Sequence, residues 1–307
     1  MRLTPCILGT ACVPWNEDFT LAESIFRRQV RHLLSVGFEN LYIFGTAGEG
    51  HAVTDAQFRQ IAEIFFEEMR ASSGLCQLGV IGLSVPQVKA RIEVGLEIGY
   101  RAFQLSLPSW GALNDRELRA FFDEILGGYP QAQFLHYNIS RGLRVLSGRE
   151  LAAIAADHPN LVATKSGSQS IANDLGLMTF APELCHFLTE QDYAFASRYG
   201  ACGLLISISS IRPECSHELF AAGQRRDEAA LTRLSRELYQ IRQALVPFTA
   251  SGQHMDGAFD KLYCKIVDPD FPLRLLPPYQ SSTDEEWQGF VAKLRSIDPA
   301  WLGEQRV

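Results

Sequence analysis

Short apolar runs alternate with longer amphipathic stretches along the first two thirds of the chain, and this alternation constrains the fold more than any other feature. Each run is bounded by Gly, Pro, Ser or Asn, and the stretch that follows it has apolar residues at helical spacing. Eight runs have the length of strands: Cys6–Ala11, Leu41–Phe44, Gln77–Ile81, Ala102–Leu107, Gln133–Tyr137, Leu161–Lys165, Cys185–Leu188 and Gly203–Ile206. Strands that are apolar on both faces and separated by helices form a closed parallel (β/α)8 TIM barrel or a doubly wound open sheet. We predict the closed α/β barrel.

The strand pattern ends after Ala222, and three more helices are predicted, at Asp227–Leu245, Met255–Val267 and Thr283–Leu294. We therefore predict that residues 1–223 form the barrel and contain the active site. Residues 224–307 are predicted to form a C-terminal three-helix extension packed on the barrel. A (β/α)8 unit commonly has about 250 residues, so a chain of 307 residues fits one barrel with such an extension.

Charge and composition exclude several classes of function. The net charge is −7 and no basic run is present, so we exclude nucleic acid as a partner. No apolar stretch reaches the roughly 18 residues that a membrane span needs, and the N-terminal residues lack the pattern of a signal peptide, so we predict a cytoplasmic protein. The seven cysteines are dispersed singly, which favours buried reduced thiols over disulfides or a metal site.

Lys165 is the first candidate for chemistry. Only five of the 28 basic residues are lysines, so the chain uses arginine for ordinary surface charge. Lys165 closes an apolar run at the C-terminal end of the sixth predicted strand, where (β/α)8 barrels have their active sites. Burial at such a position disfavours the ammonium form and leaves a neutral amine that can attack a carbonyl carbon. On position alone, a lysine that extends its charge into solvent from a strand end is an open alternative.

Two further features lie at the same predicted end of the barrel. Tyr137 ends the fifth strand, where its phenol can transfer protons, although a core tyrosine with a hydrogen-bonded hydroxyl is an equal alternative. The run G-T-A-G-E-G from Gly45 to Gly50 follows the second strand and predicts a tight turn whose backbone N–H groups bind an anion. Its glycines differ in order from the dinucleotide pattern G-x-G-x-x-G, and no Walker lysine follows, which favours a carboxylate as the ligand.

Together these segments resemble the dihydrodipicolinate synthase/N-acetylneuraminate lyase family of class I aldolases, from about Thr10 to the C-terminal helices. Gly45–Glu49 is similar to the family's G-T-T-G-E loop, residues 137–139 (Y-N-I) to its Y-N-V or Y-N-I/L strand end, and residues 163–165 (A-T-K) to its I-K strand end. Residues 199–214 are similar to its G-A-D-G-V-I…A-P-E segment. The resemblance implies a homo-oligomer that is a dimer of dimers.

The resemblance also implies roles for individual residues. Lys165 forms a Schiff base with a keto acid such as pyruvate, Tyr137 transfers protons, and Thr46 hydrogen-bonds Tyr137. The implied substrate-binding residues are Ala47, Gly48, Arg141, Arg144 and Leu205, and backbone N–H groups near Thr46 and Ala47 bind the keto-acid carboxylate. No metal or other cofactor is expected, because the protonated imine is the electron sink that a Lewis acid would otherwise supply.

Several residues depart from the family pattern. Ala47 replaces a hydroxyl residue of the loop, which removes one donor to the carboxylate. Trp110 stands where the synthases have a tyrosine that reaches a neighbouring subunit and completes a proton relay, and an indole cannot relay protons in this way. After Tyr137 the synthases have P-x-R-T-G, whereas this chain has S-R-G-L-R. Arg141 and Arg144 are equal candidates for a substrate carboxylate, and a solvent-exposed position is the alternative for each.

These departures argue against lysine biosynthesis and favour a 2-keto-3-deoxy sugar acid or a related aldol product. The predicted function is that of a Schiff-base-forming class I aldolase or lyase, which cleaves or condenses pyruvate or another 2-keto acid, with an aldehyde as the second partner. Three alternatives stay open: a dehydratase that acts through the same imine, dihydrodipicolinate synthase itself, and a non-catalytic keto-acid-binding protein.

Overall fold

The computed structural model of the protein describes residues 3–167, 170–249 and 254–303. Within these ranges eight parallel strands pair in chain order, and the eighth pairs with the first, so the sheet closes into a barrel. The strands are β1 (Ile7–Thr10), β2 (Asn40–Ile43), β3 (Cys76–Gly79), β4 (Ala102–Leu105), β5 (Gln133–Asn138), β6 (Leu161–Ser166), β7 (Cys185–Thr189) and β8 (Gly203–Leu205). The closed sheet confirms the predicted (β/α)8 barrel and excludes the doubly wound alternative.

One helix follows each strand, and three further helices follow the eighth barrel helix. The eight barrel helices are α1 (Glu23–Ser35), α2 (Asp55–Met69), α3 (Val85–Ile98), α4 (Asp115–Leu126), α5 (Gly148–Asp157), α6 (Ile171–Phe180), α7 (Glu190–Ala196) and α8 (Pro213–Arg225). The C-terminal helices are α9 (Glu228–Thr249), α10 (Asp256–Val267) and α11 (Asp284–Ile297). The predicted boundary after residue 223 falls in the last turn of α8. Each helix in the described ranges is too short or too polar to cross a membrane.

Helix starts follow from local side-chain capping. At the start of α2, Thr54 Oγ1 accepts a hydrogen bond from the backbone N–H of Gln57 (3.2 Å), and Gln57 Oε1 accepts one from the backbone N–H of Thr54 (3.0 Å). The same reciprocal arrangement opens α4, α5 and α11. Each pair satisfies two backbone donors that have no partner within the helix, so these sequences begin their helices at defined residues.

The barrel interior holds its own apolar cluster, separate from the larger core between the sheet and the helices. The members of this interior cluster are Leu8, Tyr42, Leu135, Val162, Ala163, Cys185, Phe187 and Leu205. The parallel register pairs Tyr42 with Thr10, and Lys165 with Tyr137, so each of these pairs projects to the same side of the sheet. Thr10, Tyr137 and Lys165 thus lie toward the C-terminal ends of their strands, and Tyr42 belongs to the apolar cluster and carries its hydroxyl on the same side as Thr10.

The loop after β2 is shaped by a close approach of backbone to backbone. Phe44 adopts a left-handed φ of 64°, so the chain leaves the strand one residue earlier than the predicted run ending at Phe44. A Cβ on Gly48 would lie 2.6 Å from Phe44 N, and one on Gly50 would lie 2.5 Å from Phe44 O. Only glycine fits at both positions, and the fully buried Phe44 ring stacks on Phe58 at 4.8 Å and fixes the turn.

Candidate active site

Lys165 is buried at the C-terminal end of β6, with 3 % of its surface exposed. Burial lowers the pKa of its amine to about 7, while the negative charges of Asp256 and Asp260 act in the opposite direction. At this pKa about half of the molecules carry a neutral amine near pH 7, compared with fewer than about one in a thousand for an exposed lysine. Lys165 therefore has the protonation state that a nucleophile needs.

Two tyrosine rings hold the amine in place. Lys165 Nζ donates a hydrogen bond to Tyr42 OH over 2.7 Å, and it lies 4.2 Å from the centroid of that ring. The centroid of the Tyr137 ring is 3.9 Å from the same nitrogen. Burial raises the pKa of Tyr42 well above its ordinary value, so its hydroxyl stays protonated, and a hydrogen bond from Thr10 acts against this rise. The amine is thus oriented by an oxygen and by two electron-rich faces.

Tyr137 lies at the start of a line of polar groups that leads to the barrel mouth. Its hydroxyl is 3.4 Å from Thr46 Oγ1, and Arg141 Nη1 donates a hydrogen bond to Thr46 Oγ1 over 3.3 Å. Burial raises the pKa of Tyr137 to about 12, while the Thr46 hydroxyl and the Arg141 charge lower it. Arg141 in turn forms a bidentate ion pair with Asp256, with both N–O distances at 2.9 Å. The structure therefore brings Lys165, Tyr137, Thr46 and Arg141 together.

The other predicted substrate-binding residues fall in three places. Ala47 is buried against Cys12 and Phe271, and Gly48 lies beside it in the same loop. Leu205 belongs to the apolar cluster that fills the barrel below Lys165.

Arg144 lies apart from this group. Its guanidinium donates to Leu113 O over 2.8 Å, and to Asp115 Oδ1 and Glu150 Oε1 over 2.6 Å each. These partners belong to the segment before α4 and to the first turns of α4 and α5. Between the two arginines that the sequence left open, the geometry therefore favours Arg141 as the one near the amine.

The C-terminal helix α10 is packed directly on the loop after β2. A Cβ on Gly257 would lie 3.5 Å from Thr46 O and 3.7 Å from Ala47 O. One turn further, Lys261 Nζ donates to Glu49 Oε1 over 2.6 Å, and both side chains are almost fully buried. Glu49 also accepts hydrogen bonds from Trp15 Nε1 and the backbone N–H of Leu276. This network fixes the loop against α10 and assigns Glu49 to structure.

Gln104 on β4 contributes an amide to the barrel interior. Both its side-chain atoms, Nε2 and Oε1, are buried, and neither has a hydrogen-bond partner within the described part of the chain. A Cβ on Gly45 would lie 3.4 Å from Lys165 Nζ and 3.5 Å from Gln104 Nε2, which places the amide near the amine. Buried polar groups are rarely left without partners, so this amide is a candidate to contact a bound ligand.

Sequence reasoning missed four residues of this site: Tyr42, Gln104, Asp256 and Asp260. Tyr42 and Gln104 lie in strands whose apolar pattern on both faces does not show which side chains point inward. The two aspartates, four residues apart, occupy one face of α10. This spacing was a usable signal, but it does not reveal that the face packs on the barrel mouth. Across residues 3–167, 170–249 and 254–303, no group of three or more His, Cys, Asp or Glu side chains is arranged as a metal site.

Comparisons with known proteins identify the family and the fold. The sequence profile of the Dihydrodipicolinate synthetase family matches residues 5–295. The 4-hydroxy-tetrahydrodipicolinate synthase of Exiguobacterium sibiricum is 24 % identical over 242 residues, which cover 77 % of this chain and 81 % of that protein. A probable 5-dehydro-4-deoxyglucarate dehydratase of Bradyrhizobium diazoefficiens is 23 % identical over 309 residues, which cover 98 % of this chain and 94 % of the relative.

A solved structure gives the same fold. A prophage protein of the dihydrodipicolinic acid synthase family from E. coli K12, crystallised in complex with pyruvate, superposes with a TM-score of 0.83 at 14 % identity, covering 96 % of this chain and 99 % of that one. The family inferred from the loop and strand-end motifs is confirmed by the profile match, and with it the assignment to lyases of the class I aldolase type. Since the match extends over nearly the whole sequence, the chain belongs to the Dihydrodipicolinate synthetase family.

Proposed function

We propose that the protein is a class I aldolase-type lyase in which Lys165 forms a Schiff base with pyruvate or another 2-keto acid. The observation that carries this proposal is the buried amine of Lys165, whose pKa of about 7 leaves it partly neutral. Its position between Tyr42 and Tyr137 at the C-terminal end of the barrel supports the same assignment. A neutral, oriented amine is what nucleophilic attack on a ketone requires.

The covalent step begins with attack of Lys165 Nζ on C2 of the keto acid. The N–C2 bond forms as an N–H proton moves to the carbonyl oxygen, which gives a carbinolamine. The carbinolamine hydroxyl then takes up one more proton and leaves as water, and a protonated imine remains. The cation draws electrons from the C3–C4 bond, so cleavage leaves an enamine on the lysine and releases an aldehyde, and condensation is the reverse. Backbone N–H groups near Thr46, Ala47 and Gly48 are the proposed donors to the keto-acid carboxylate.

Tyr137 is the proposed acid–base group for the substrate hydroxyl. In the free protein its pKa of about 12 keeps the phenol protonated. The iminium nitrogen replaces an amine that lies 3.9 Å from the ring centroid, and a fixed positive charge there lowers the pKa of the phenol. The phenol proton passes to the Thr46 hydroxyl and from there to solvent at the barrel mouth, which leaves the phenolate. The phenolate then accepts the proton of the aldol hydroxyl, while Thr46 orients the phenol oxygen.

A dehydratase that uses the same imine is the second candidate. It is supported by the relative from Bradyrhizobium, named as a probable dehydratase, because that alignment covers 98 % of this chain whereas the alignment with the synthase from Exiguobacterium covers 77 %. Dihydrodipicolinate synthase itself is less well supported, because Arg141 is already neutralised by Asp256 and Trp110 replaces the relay tyrosine. We therefore favour a 2-keto-3-deoxy sugar acid or a related aldol product as substrate.

The Schiff base is tested by trapping. The protein is incubated with pyruvate, reduced with borohydride and digested, and the modified peptide is identified by mass spectrometry. We expect one reduced adduct on Lys165, absent in Lys165→Ala and retained in Lys89→Ala, which removes a surface lysine paired with Glu124. A folded protein that gives no adduct with pyruvate or longer keto acids contradicts the proposal.

Product analysis separates the remaining functions. Incubation with deoxy-keto sugar acids releases pyruvate and an aldehyde if the protein is an aldolase, and yields a dehydrated keto acid without an aldehyde if it is a dehydratase. An adduct on Lys165 without turnover of any substrate identifies a keto-acid-binding protein.

We also propose a homo-oligomer of the dimer-of-dimers type and a cytoplasmic location. Trp110 supports the oligomer, because this large apolar side chain is 89 % exposed in the single chain and occupies the place of the family's intersubunit tyrosine. Sedimentation of the wild type and of Trp110→Ser tests the assignment, and a wild type that sediments as a monomer contradicts it.

A further inference from the structure

Asp260 is a buried carboxyl group that the reaction described above does not use. It lies on α10, one turn beyond Asp256, on the helix that packs on the loop after β2. Its Oδ1 accepts a hydrogen bond from Ser207 Oγ over 3.2 Å, at the C-terminal end of β8. A buried carboxyl group with few hydrogen bonds is costly to keep, so its position at the barrel mouth calls for an explanation.

Asp260 faces a cavity of about 500 Å³ between α1, α10 and the C-terminal ends of β1 and β8. Thr10, Cys12, Ser207 and Tyr263 also line this cavity, whereas Lys165 does not. The volume is large enough for several water molecules. The cavity is therefore a compartment separate from the reacting amine. Most of its surface is apolar, and Asp260, Thr10 and Ser207 are polar groups on it.

Tyr42 connects this compartment to the amine. Its hydroxyl accepts the hydrogen bond from Lys165 Nζ, and its register partner on β1 is Thr10, whose hydroxyl lowers the pKa of Tyr42. Thr10 in turn lines the cavity that Asp260 faces. The hydroxyls of Tyr42 on β2 and Thr10 on β1 thus lie between Lys165 and the cavity. They are distinct from the hydroxyls of Tyr137 on β5 and Thr46 in the loop after β2.

The protonation states of Lys165 and Asp260 suit imine formation, which needs a neutral amine, a proton donor and then a counter-charge. Burial lowers the pKa of Lys165 to about 7 and raises that of Asp260 to about 8, and the negative charge of Asp256 adds to the rise. Near neutral pH the pair can therefore exist as a neutral amine and a protonated carboxyl group. Formation of the iminium places a permanent cation in this buried site, and such a cation is costly without a counter-charge.

We propose that Asp260 supplies the proton that leaves with the water of imine formation, and then remains as the carboxylate that balances the iminium charge. The inference rests on the proposed Schiff-base function of Lys165. The proton passes from the Asp260 carboxyl group through cavity water and the hydroxyls of Thr10 and Tyr42 to the carbinolamine oxygen. The C2–O bond breaks, water departs, and the nitrogen lone pair forms the C=N bond. Hydrolysis of the final imine returns the proton by the same route.

Several other ionisable groups surround Asp260 and must be considered in its titration. They are Lys165 on β6, Tyr42 on β2, Tyr137 on β5, Cys12 after β1, Glu190 on α7, Asp256 and Tyr263 on α10, and Arg28, Arg31 and His32 on the α1 side of the cavity. Burial raises the pKa values of the three phenols, and a hydrogen bond to Cys264 together with burial raises that of the Cys12 thiol. Burial lowers the pKa of the His32 imidazole. These shifts move the thiol, phenol and imidazole titrations away from the range of Lys165 and Asp260.

The test is the pH dependence of imine formation. At each pH from about 6 to 10 the protein is mixed with pyruvate for measured intervals, quenched with excess borohydride, and the Lys165 adduct is quantified by mass spectrometry. As the pH increases, the wild-type rate of adduct formation is expected to rise while Lys165 loses its proton and then to fall while Asp260 loses its proton. In Asp260→Asn the falling limb should disappear and the maximal rate should drop by about 100-fold, a typical loss for one proton-transfer group.

Three further variants test whether the falling limb reports the titration of Asp260. Asp260→Glu should restore part of the rate and the falling limb. Ser207→Ala removes a hydrogen bond that favours the Asp260 carboxylate, so the falling limb should move to higher pH. Asp268→Asn changes a carboxylate at the cavity lining that pairs with Arg28, and it should keep the wild-type profile.

The outcomes separate this inference from the function on which it rests. A wild type that forms no adduct contradicts the proposed Schiff-base function. A wild type that forms the adduct, together with a folded Asp260→Asn variant of unchanged rate and pH profile, overturns the role of Asp260 alone. If Asp260→Asn does not fold, an unshifted falling limb in Ser207→Ala overturns it as well.

Discussion

Replacing Tyr42 by phenylalanine tests how the site sets the protonation of Lys165, the proposed nucleophile. The substitution keeps the ring 4.2 Å from Lys165 Nζ and removes only the hydroxyl that accepts the 2.7 Å hydrogen bond. A hydrogen bond to a charged group contributes about 1.5–3 kcal/mol, and one between neutral groups about 0.5–1.5 kcal/mol. The ammonium therefore loses roughly 1–1.5 kcal/mol more than the neutral amine, which lowers the pKa of Lys165 by about one unit.

The expected effect on reactivity follows from this shift. A fall in the pKa from about 7 to about 6 raises the neutral fraction at pH 6 from about 9 % to about 50 %. The rising limb of imine formation should therefore move about one pH unit lower in Tyr42→Phe. Relative to its own plateau, the rate at pH 6 should be about fivefold higher than in the wild type. The maximal rate of imine formation depends on proton transfer, so it is compared separately from the pH at which the rate reaches half of its maximum.

The assay is the trapping of the Lys165 adduct at a series of pH values, with Tyr100→Phe as the matched control. Tyr100 is also buried, and its hydroxyl donates to Ala62 O over 2.7 Å, so the control loses a similar hydrogen bond outside the site. We expect the control to keep the wild-type midpoint. A midpoint in Tyr42→Phe that is unchanged or moved to higher pH would refute the reasoning that this hydroxyl stabilises the ammonium.

Three other substitutions test separate parts of the structure. Tyr137→Phe should keep the Lys165 adduct but lower turnover by about 10²–10⁴-fold, as measured by product formation, because the acid–base group is lost; equal losses of adduct and turnover would contradict this. Glu49→Gln should lower the free energy of unfolding by about 3–5 kcal/mol in urea titration, because the Lys261 ammonium stays buried without its counter-charge; a change below about 1 kcal/mol would show that the pair is replaceable. Gly79→Ala should cost roughly 1–3 kcal/mol in the same assay, because the added methyl group meets the backbone of the loop after β2.

The fold was predictable because its signals are local and repeated. Each strand is an apolar run with clear ends, and capping pairs such as Thr54 with Gln57 mark the helix starts. At the end of β2 the structure departs from the predicted bounds because the chain adopts a special conformation. Phe44 continues the apolar run of β2 in sequence, but it turns into the left-handed region because the loop must fold back over its backbone. Apolar character does not reveal such a turn.

The sequence predicts the candidate site best where a reactive side chain lies at or just after the end of a strand. Lys165, Tyr137 and Thr46 all follow or close strands, and the barrel topology brings strand ends together. The two arginines after β5 show the limit of this reasoning. Arg141 lies within a short 3-10 turn at Ser140–Gly142, and Arg144 follows it. The structure directs Arg141 to Thr46 and Arg144 to α4 and α5. The direction of a side chain in an irregular loop depends on its tertiary partners, which the sequence does not specify.

Helix α10 of the C-terminal extension lies against the candidate site, whereas the sequence predicts an active site within residues 1–223. Three side chains of α10 act there: Lys261 pairs with Glu49 under the loop, Asp256 neutralises Arg141 at the mouth, and Asp260 faces the cavity beside the amine. Because Asp256 already holds Arg141 by two hydrogen bonds, a second substrate carboxylate would have to displace a bidentate ion pair. Hydroxyl groups can instead bond to both members of the pair without separating them. The position of α10 therefore favours a substrate hydroxyl over a second carboxylate at this ion pair, and it links substrate choice to a helix outside the barrel. For the two candidate functions, this favours an aldolase of a hydroxylated monocarboxylate over a dehydratase of a glucarate, which is a dicarboxylate.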